Sequence, residues 1–299
     1  MRKILIIGSK GFIGTKAMNY FASQKDVKIY GCDVVVDYES ENYFLIDSST
    51  SFDKIFRSEL FDVCINCSGA ASVPDSIKNP MRDFELNTHN VFKILNAIKD
   101  YNPQCKFVNL SSAAVYGNPE ELPIRENQTL NPVSPYGRHK LMAEIICKEF
   151  SDHFDISTVS LRIFSAYGEG LKKQLFWDLY KKVVQNKEIS LFGTGEESRD
   201  FIHVDDLIQT IALVILHAGF KGEAINIANG EEIYINDAVR LFYQNFSESI
   251  DFVFSGSERK GDPSNWVADI SLIRSFGYKQ TVDFEQGLER YYKWAERKG

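Results

Sequence analysis

Apolar positions fall into short runs separated by longer stretches of mixed polarity. Lys3 to Ile7 (KILII) is a run suited to a strand buried on both faces. Val27 to Gly31, Val63 to Cys67, Lys106 to Leu110 and Ile156 to Leu161 repeat that signal. Between them lie an amphipathic stretch through Phe21 and longer helix-like runs, Met81 to Asp100 and Tyr136 to Phe150. Strand and helix alternating to about residue 163 predict an α/β fold with a parallel, doubly wound sheet. From Gly168 onward the runs shorten: Leu175 to Val184, Asp205 to Leu216, Asn236 to Phe246 and Phe284 to Arg297. They predict a smaller mixed α/β lobe over 166–299, packed on a sheet domain over 1–165, with return segments around 200–230.

Length and composition narrow the classes. A chain of 299 residues accommodates one large α/β domain with an appended lobe. Hydrophobic content of 44% and charged content of 25% are those of a soluble globule. The net charge of −7, without a basic aromatic-rich tract, argues against nucleic-acid or anionic-membrane binding. With no signal-peptide pattern and no membrane-length apolar stretch, a cytoplasmic location is expected. Five cysteines, an odd number without framework spacing, fit a reducing compartment. Cys64-Ile65-Asn66-Cys67 matches C-x-x-C, but residues three apart on a strand point to opposite faces, so redox chemistry is not expected.

Chemistry concentrates at two places. After the first strand comes Gly8-Ser9-Lys10-Gly11-Phe12-Ile13-Gly14. The first glycine permits a tight turn, the second a close approach to pyrophosphate, and the third helix-on-strand packing. Asp33, ending the second strand, can accept from ribose hydroxyls and would repel a 2′-phosphate, favouring NAD over NADP. Lys10 is a counter-signal, a cation able to meet that phosphate unless it is simply solvated. Asp47 and Ser48 close the third strand, where a carboxylate can receive an adenine amino group. The second place is Tyr136 and Lys140, on one helix face, where an ammonium can favour the phenolate of a group with an ordinary pKa near 10. Ser112 leaves the end of a central strand, where ligands sit in such sheets.

In order and spacing, the glycine loop, Asp33, Cys67-Ser68-Gly69-Ala70-Ala71, Asn87, Ser111-Ser112-Ala113-Ala114-Val115-Tyr116-Gly117 and Tyr136-x-x-x-Lys140 resemble the extended short-chain dehydrogenase/reductase family. Within it the chain looks like the NAD-dependent epimerases and dehydratases of nucleotide sugars. The likeness continues through Leu161-Arg162-Ile163-Phe164, Gly193-Thr194-Gly195, Arg199-Asp200-Phe201-Ile202-His203-Val204 and Gly261-Asp262-Pro263. It implies a Rossmann-type sheet, Tyr136 as general acid/base, Lys140 on the nicotinamide ribose, and Ser112 on the reacting oxygen. Asn87 would lie beside the cofactor. Arg199 and Arg259 would grip a substrate diphosphate and Phe192 would pack against a nucleobase, core packing being the alternative for Phe192. A homodimer through the two long helices is implied as well. His139 and His203 are read as structural, with no metal.

Two departures shape the functional expectation. Ala113 and Ala114 stand where dehydratases of the family carry an Asp-Glu pair, so dehydration is not expected. Ser165 stands where an asparagine commonly touches substrate, and Glu169 follows Gly168 in place of proline. The sequence therefore predicts a nucleotide-sugar epimerase acting at C4 with NAD. The alternatives are a reductase of a 4-keto-6-deoxy nucleotide sugar using NAD(P)H, and a non-catalytic dinucleotide sensor.

Overall fold

The computed structural model describes residues 1–47, 51–185, 189–257, 261 and 263–298. Its centre is a seven-stranded sheet, every strand parallel to its neighbours. Six strands come in chain order: β1 (Arg2–Ile7), β2 (Val27–Asp33), β3 (Tyr43–Leu45), β4 (Val63–Asn66), β5 (Lys106–Ser112) and β6 (Thr158–Ile163). The seventh, Lys221–Ile227, returns from the C-terminal half to flank β6. Across the sheet the order is Lys221–Ile227, β6, β5, β4, β1, β2, β3, which reverses direction between β1 and β4. Ligands bind at such a switch point, beyond the carboxyl ends of the strands.

Register decides what emerges there. Ile7 lies beside Asn66, Asn66 beside Asn109, and Ser112 beside Ile163. Gly8, Cys67, Ala113 and Phe164 therefore leave the sheet along one edge. The strands are held by apolar layers on both faces. Ile4, Ile6, Ile65 and Val108 pack with Ala17 and Phe21 of helix Phe12–Ala22 and with helix Val204–His217. Leu5, Ile7, Cys64 and Phe107 pack with Val91, Ile94, Leu95 and Ile98 and with Ala143, Cys147 and Phe150. Each such fully buried aliphatic side chain contributes about 1.5–3 kcal/mol.

A third core, of Tyr167, Phe176, Phe201, Phe242, Phe284 and Tyr291, builds the smaller lobe. An ionic network ties that lobe to the first helix. Arg290 Nε donates to Glu169 at 2.8 Å and Arg290 Nη2 to Asp205 at 2.5 Å, and Lys16 Nζ reaches Asp205 at 3.3 Å. His203, fully buried, joins Glu169 at 3.1 Å. Glu169, His203 and Asp205 bring ligand-type atoms within 4.8 Å of one another, and the two cations neutralise the carboxylates directly.

Boundaries differ from the sequence expectation where caps and strain intervene. Tyr136 to Phe150 extends to Pro135–Phe154, because Ser134 caps the helix by accepting from the Gly137 N–H at 3.1 Å and Pro135 fits the first turn. The run Met81 to Asp100 is not one regular helix. Pro80–Phe84 is α-helical, Glu85–His89 is a π-helical turn, and Asn90–Tyr101 resumes the α-helix. Wide turns of this kind re-aim side chains and gather at functional sites. Here the re-aimed residue is Asn87. All five cysteines are free thiols, and burial pushes that of Cys67 up to about 12. Among the described residues no helix is long and apolar enough to cross a membrane.

Candidate active site

The glycine loop is tight for steric reasons. Gly8 sits at φ +81°, and a Cβ there would lie 2.6 Å from the Ser68 nitrogen. A Cβ on Gly14 would meet the Gly8 carbonyl oxygen at 2.0 Å, so the helix presses directly on the turn. Gly11 is the N-cap of helix Phe12–Ala22 and offers no capping side chain, and the first turn carries no acidic residue. Phe12 and Ile13 start that helix. The arrangement leaves a helix N-terminus with its dipole unopposed, which suits an anion.

Asp33 closes the loop from the neighbouring strand. One carboxylate oxygen accepts from the Lys10 N–H at 2.8 Å, the other from the Val34 N–H at 2.7 Å. The Lys10 side chain pairs with Asp37 and lies 5.3 Å from the Tyr43 ring centroid. Lys10 is thus neither simply solvated nor directed to a 2′-phosphate. Its ammonium is engaged by Asp37, whose carboxyl it holds far below the usual range. Asp47 is exposed just beyond β3, while Ser48 lies outside the described residues.

Across the switch point, Ser68 donates to Asn66 Oδ1 at 2.5 Å, shaping the turn after β4. Gly69 has φ +118°, and a Cβ on it would stand 2.5 Å from Asn87 Oδ1 and 3.6 Å from Lys140 Nζ. Lys140 Nζ donates to the Leu110 carbonyl at 2.7 Å. Ser112 Oγ accepts from the Ala114 N–H at 3.2 Å and is near enough to the Tyr136 phenol to draw its pKa down. Ser112, Tyr136, Lys140, Gly69 and Asn87 therefore converge at the ends of β4 and β5.

Burial dominates the electrostatics of the pair. Lys140 Nζ is 5.9 Å from the Tyr136 ring centroid and is bonded to a backbone carbonyl. Burial pushes the phenol up to about 12, although the Ser112 hydrogen bond pulls it down. Burial also brings Lys140 down to about 8, against the charges of Asp83 and Glu144. In the chain by itself desolvation outweighs the pull of Ser112, and the tyrosine is a neutral phenol.

The cradle fits a dinucleotide. Asn87 is 1% exposed, yet neither atom of its amide has a partner, and Ser9 Oγ is buried and equally unpaired. Such orphaned groups are costly unless a ligand satisfies them. They flank the glycine loop and the Gly69 turn.

The remaining candidates lie on the lobe side. Ser165 pairs with Phe201, and its N–H donates to the Asp200 carbonyl at 2.9 Å, beside Arg199. Arg199 Nη1 donates to the Ser198 and Ser264 carbonyls at 2.7 and 3.1 Å, and its guanidinium stands 5.5 Å from the Trp266 ring centroid. Phe192 is 68% exposed, so it is not core filler. Arg259 lies outside the described residues. Sequence reasoning missed Trp266, which donates to the Gly117 carbonyl at 3.0 Å, and Asp83, bonded to His139 at 2.6 Å. A tryptophan and an aspartate isolated from any motif gave no signal. Glu144 and Arg162 were missed as a pair too. Arg162 bonds both Glu144 oxygens, Tyr116 and the Glu126 carbonyl, fixing β6 and the catalytic helix against each other.

Comparison with known proteins agrees with this geometry. The sequence model of the NAD dependent epimerase/dehydratase family matches residues 4–228. The UDP-glucose 4-epimerase of Lactobacillus helveticus is 28% identical over 321 residues, covering 98% of this chain and 96% of that one. That of Azospirillum brasilense is 30% identical over 265 residues, 82% of this chain and 76% of its own. A solved UDP-glucuronic acid 4-epimerase from Bacillus cereus, in complex with UDP-glucuronic acid and NAD, superimposes with a TM-score of 0.90 at 26% identity, covering 99% of this chain and 100% of that one. The chain belongs to the NAD dependent epimerase/dehydratase family.

Proposed function

We propose that this protein is an NAD-dependent nucleotide-sugar epimerase acting at C4 through a transient 4-keto sugar. The observation that carries the reading is the convergence of Ser112, Tyr136 and Lys140 beside an unsatisfied Asn87, with the methyl side chains of Ala113 and Ala114 next to them. NAD, when bound, supplies a reversible hydride acceptor, so that C4 can be oxidised and then reduced from its other face. The Gly8–Gly14 loop holds the pyrophosphate, Asp33 the adenosine ribose, Asp47 the adenine edge, and Lys140 with Asn87 the nicotinamide end.

Tyr136 removes the proton of the sugar hydroxyl and later returns it, and Ser112 steadies the oxygen on which charge develops. Ala113 and Ala114 offer no second acid or base, which disfavours elimination of water. We assign Arg199 to the substrate diphosphate, as a planar guanidinium suits, and give Arg259 the same role on the resemblance alone; Phe192 is assigned to the nucleobase and Ser165 to the substrate. UDP is the favoured nucleotide because the relatives named above act on UDP-sugars. The engagement of Lys10 by Asp37 speaks against the NADPH-dependent reductase.

We also place the protein in the cytoplasm, in keeping with five free thiols, and as a homodimer. Helix Pro135–Phe154 shows Met142 and Ile145 at 43% and 59% exposure, beside exposed Met81, Phe84 and Phe92.

Small molecules released from denatured protein are to be identified by mass spectrometry, and native protein incubated with UDP-glucose, UDP-glucuronic acid and UDP-N-acetylglucosamine. Bound NAD and accumulation of a C4 epimer are expected. Protein that retains no NAD and interconverts none of the pairs would overturn the reading.

A further inference from the structure

An indole that the proposed reaction does not use stands between the end of β5 and Arg199. Trp266 is 8% exposed, and its ring is held on several sides. Its Nε1–H donates to the Gly117 carbonyl at 3.0 Å, just beyond Ser112 in the chain. The Phe164 ring meets it edge-on at 5.9 Å, and its backbone N–H donates to the Ser198 carbonyl at 3.2 Å. The residues around it are tied down in the same way. Ser264 donates through its N–H to Asn118 Oδ1 at 3.0 Å, and the Ser198 N–H donates to the Ser264 carbonyl at 3.2 Å and to Asn265 Oδ1 at 3.0 Å. Arg199 lies against this framework. Its Nη1 donates to the Ser198 and Ser264 carbonyls at 2.7 and 3.1 Å, and its guanidinium stands over the indole, 5.5 Å from the ring centroid.

We propose that Trp266 is a positioning residue that presets the Arg199 guanidinium for the diphosphate of the substrate. This rests on the assignment of Arg199 made above. An arginine side chain has many rotamers, and a ligand that must order it binds more weakly than one that finds it ordered. The fork recognises phosphate oxygens through hydrogen bonds that lie in its own plane, so the orientation of that plane matters. Two carbonyls fix one end of the Arg199 fork, and the indole, the aromatic face that attracts a cation best, supports its plane. Because the same indole is bonded to Gly117, the guanidinium is held in register with the strand end that carries Ser112.

The test is the affinity of the NAD-loaded protein for UDP, read by titration calorimetry without any turnover. Trp266→Leu should weaken UDP by about fivefold or more, as loss of a partly buried cation–π contact does. Trp266→Phe keeps an aromatic face and should restore the affinity to within about threefold of wild type. In an Arg199→Ala background, Trp266→Leu should change the affinity by less than about twofold, because the group it positions is gone. Equal losses in both backgrounds would mean that Trp266 acts through the fold at large, and would overturn the proposal. Unchanged affinity in Trp266→Leu, a Trp266→Phe variant as weak as Trp266→Leu, or a wild type that binds no UDP would overturn it too. Trp266→Met fills more of the ring's volume, carries the same expectation as Trp266→Leu, and supplies the test should that variant not fold. Coupling of Trp266 to Arg199 in a protein that epimerises no UDP-sugar would sink the catalytic reading and leave this one standing. Epimerisation with equal losses in both backgrounds would do the reverse.

Discussion

Two groups with opposite fates under burial share the end of β5, and the reaction depends on how each is held. The phenol of Tyr136 lies at about 12 in the protein alone, where an ordinary phenol lies at 10.0. The difference in absorbance between wild type and Tyr136→Phe, both free of cofactor, should show no phenolate band below pH 10, the ordinary phenol value. A band near neutrality would mean that Lys140 alone ionises the ring. Once the protein is loaded, Tyr136→Phe should lower kcat by about 10²–10⁴-fold, the usual contribution of a positioned acid/base, while NAD stays bound. At the other end of the cofactor, Asp33 holds the Lys10 N–H and would meet a 2′-phosphate with like charge. Asp33→Ser should weaken NAD by about tenfold or more and narrow its advantage over NADP, read by fluorescence titration. Unchanged affinity for both would remove Asp33 from the adenosine site.

The catalytic helix Pro135–Phe154 keeps its place partly through a buried ion pair. Arg162 of β6 is 5% exposed, bonds Glu144 through Nε and Nη2, and reaches Tyr116 and the Glu126 carbonyl through Nη1. Ser111 donates to the same Glu144. Removing one partner strands the other charge, so Arg162→Met should cost about 3–5 kcal/mol in urea unfolding. A loss below 1 kcal/mol would show that water or rearrangement satisfies Glu144. The elements themselves were legible, because apolar runs and glycine spacing report local constraints. KILII can bury both faces only in a covered sheet, and the Gly8-x-x-Gly11-x-x-Gly14 spacing encodes a turn that a Cβ at Gly8 or Gly14 would clash with. The π-helical turn at Glu85–His89 was not legible, since nothing in ELNTH departs from an ordinary helical composition. The turn follows directly on a tertiary tie that sequence does not display, Asp83 to His139, 56 positions away. The depth of Tyr136 was hidden for the same reason. A Tyr-x-x-x-Lys spacing puts two side chains on one face but says nothing of how dry that face is.

At the scale of the whole molecule, the sheet and the lobe bury their own cores, yet one face of the two long helices keeps apolar side chains in water. Met142 and Ile145 fall three residues apart on helix Pro135–Phe154, beside Met81, Phe84 and Phe92 of the neighbouring helical segments. Both segments already turn their other faces to the sheet, so burial within the chain does not account for this stripe. Exposed apolar side chains of this kind are what the homodimer proposed above would bury. Two helices from each copy meeting about a two-fold axis would make a self-complementary interface, and a stable one needs about 1,200–2,000 Å² in total. Sedimentation at low micromolar concentration should therefore show a dimer. Ile145→Glu places two carboxylates near that axis and should shift the species to monomer with its helical circular dichroism unchanged. Because the helix that would lie in the interface also carries Tyr136 and Lys140, the monomeric variant should lose activity as well. A wild-type monomer that is fully active would separate the site from the stripe and refute the dimer.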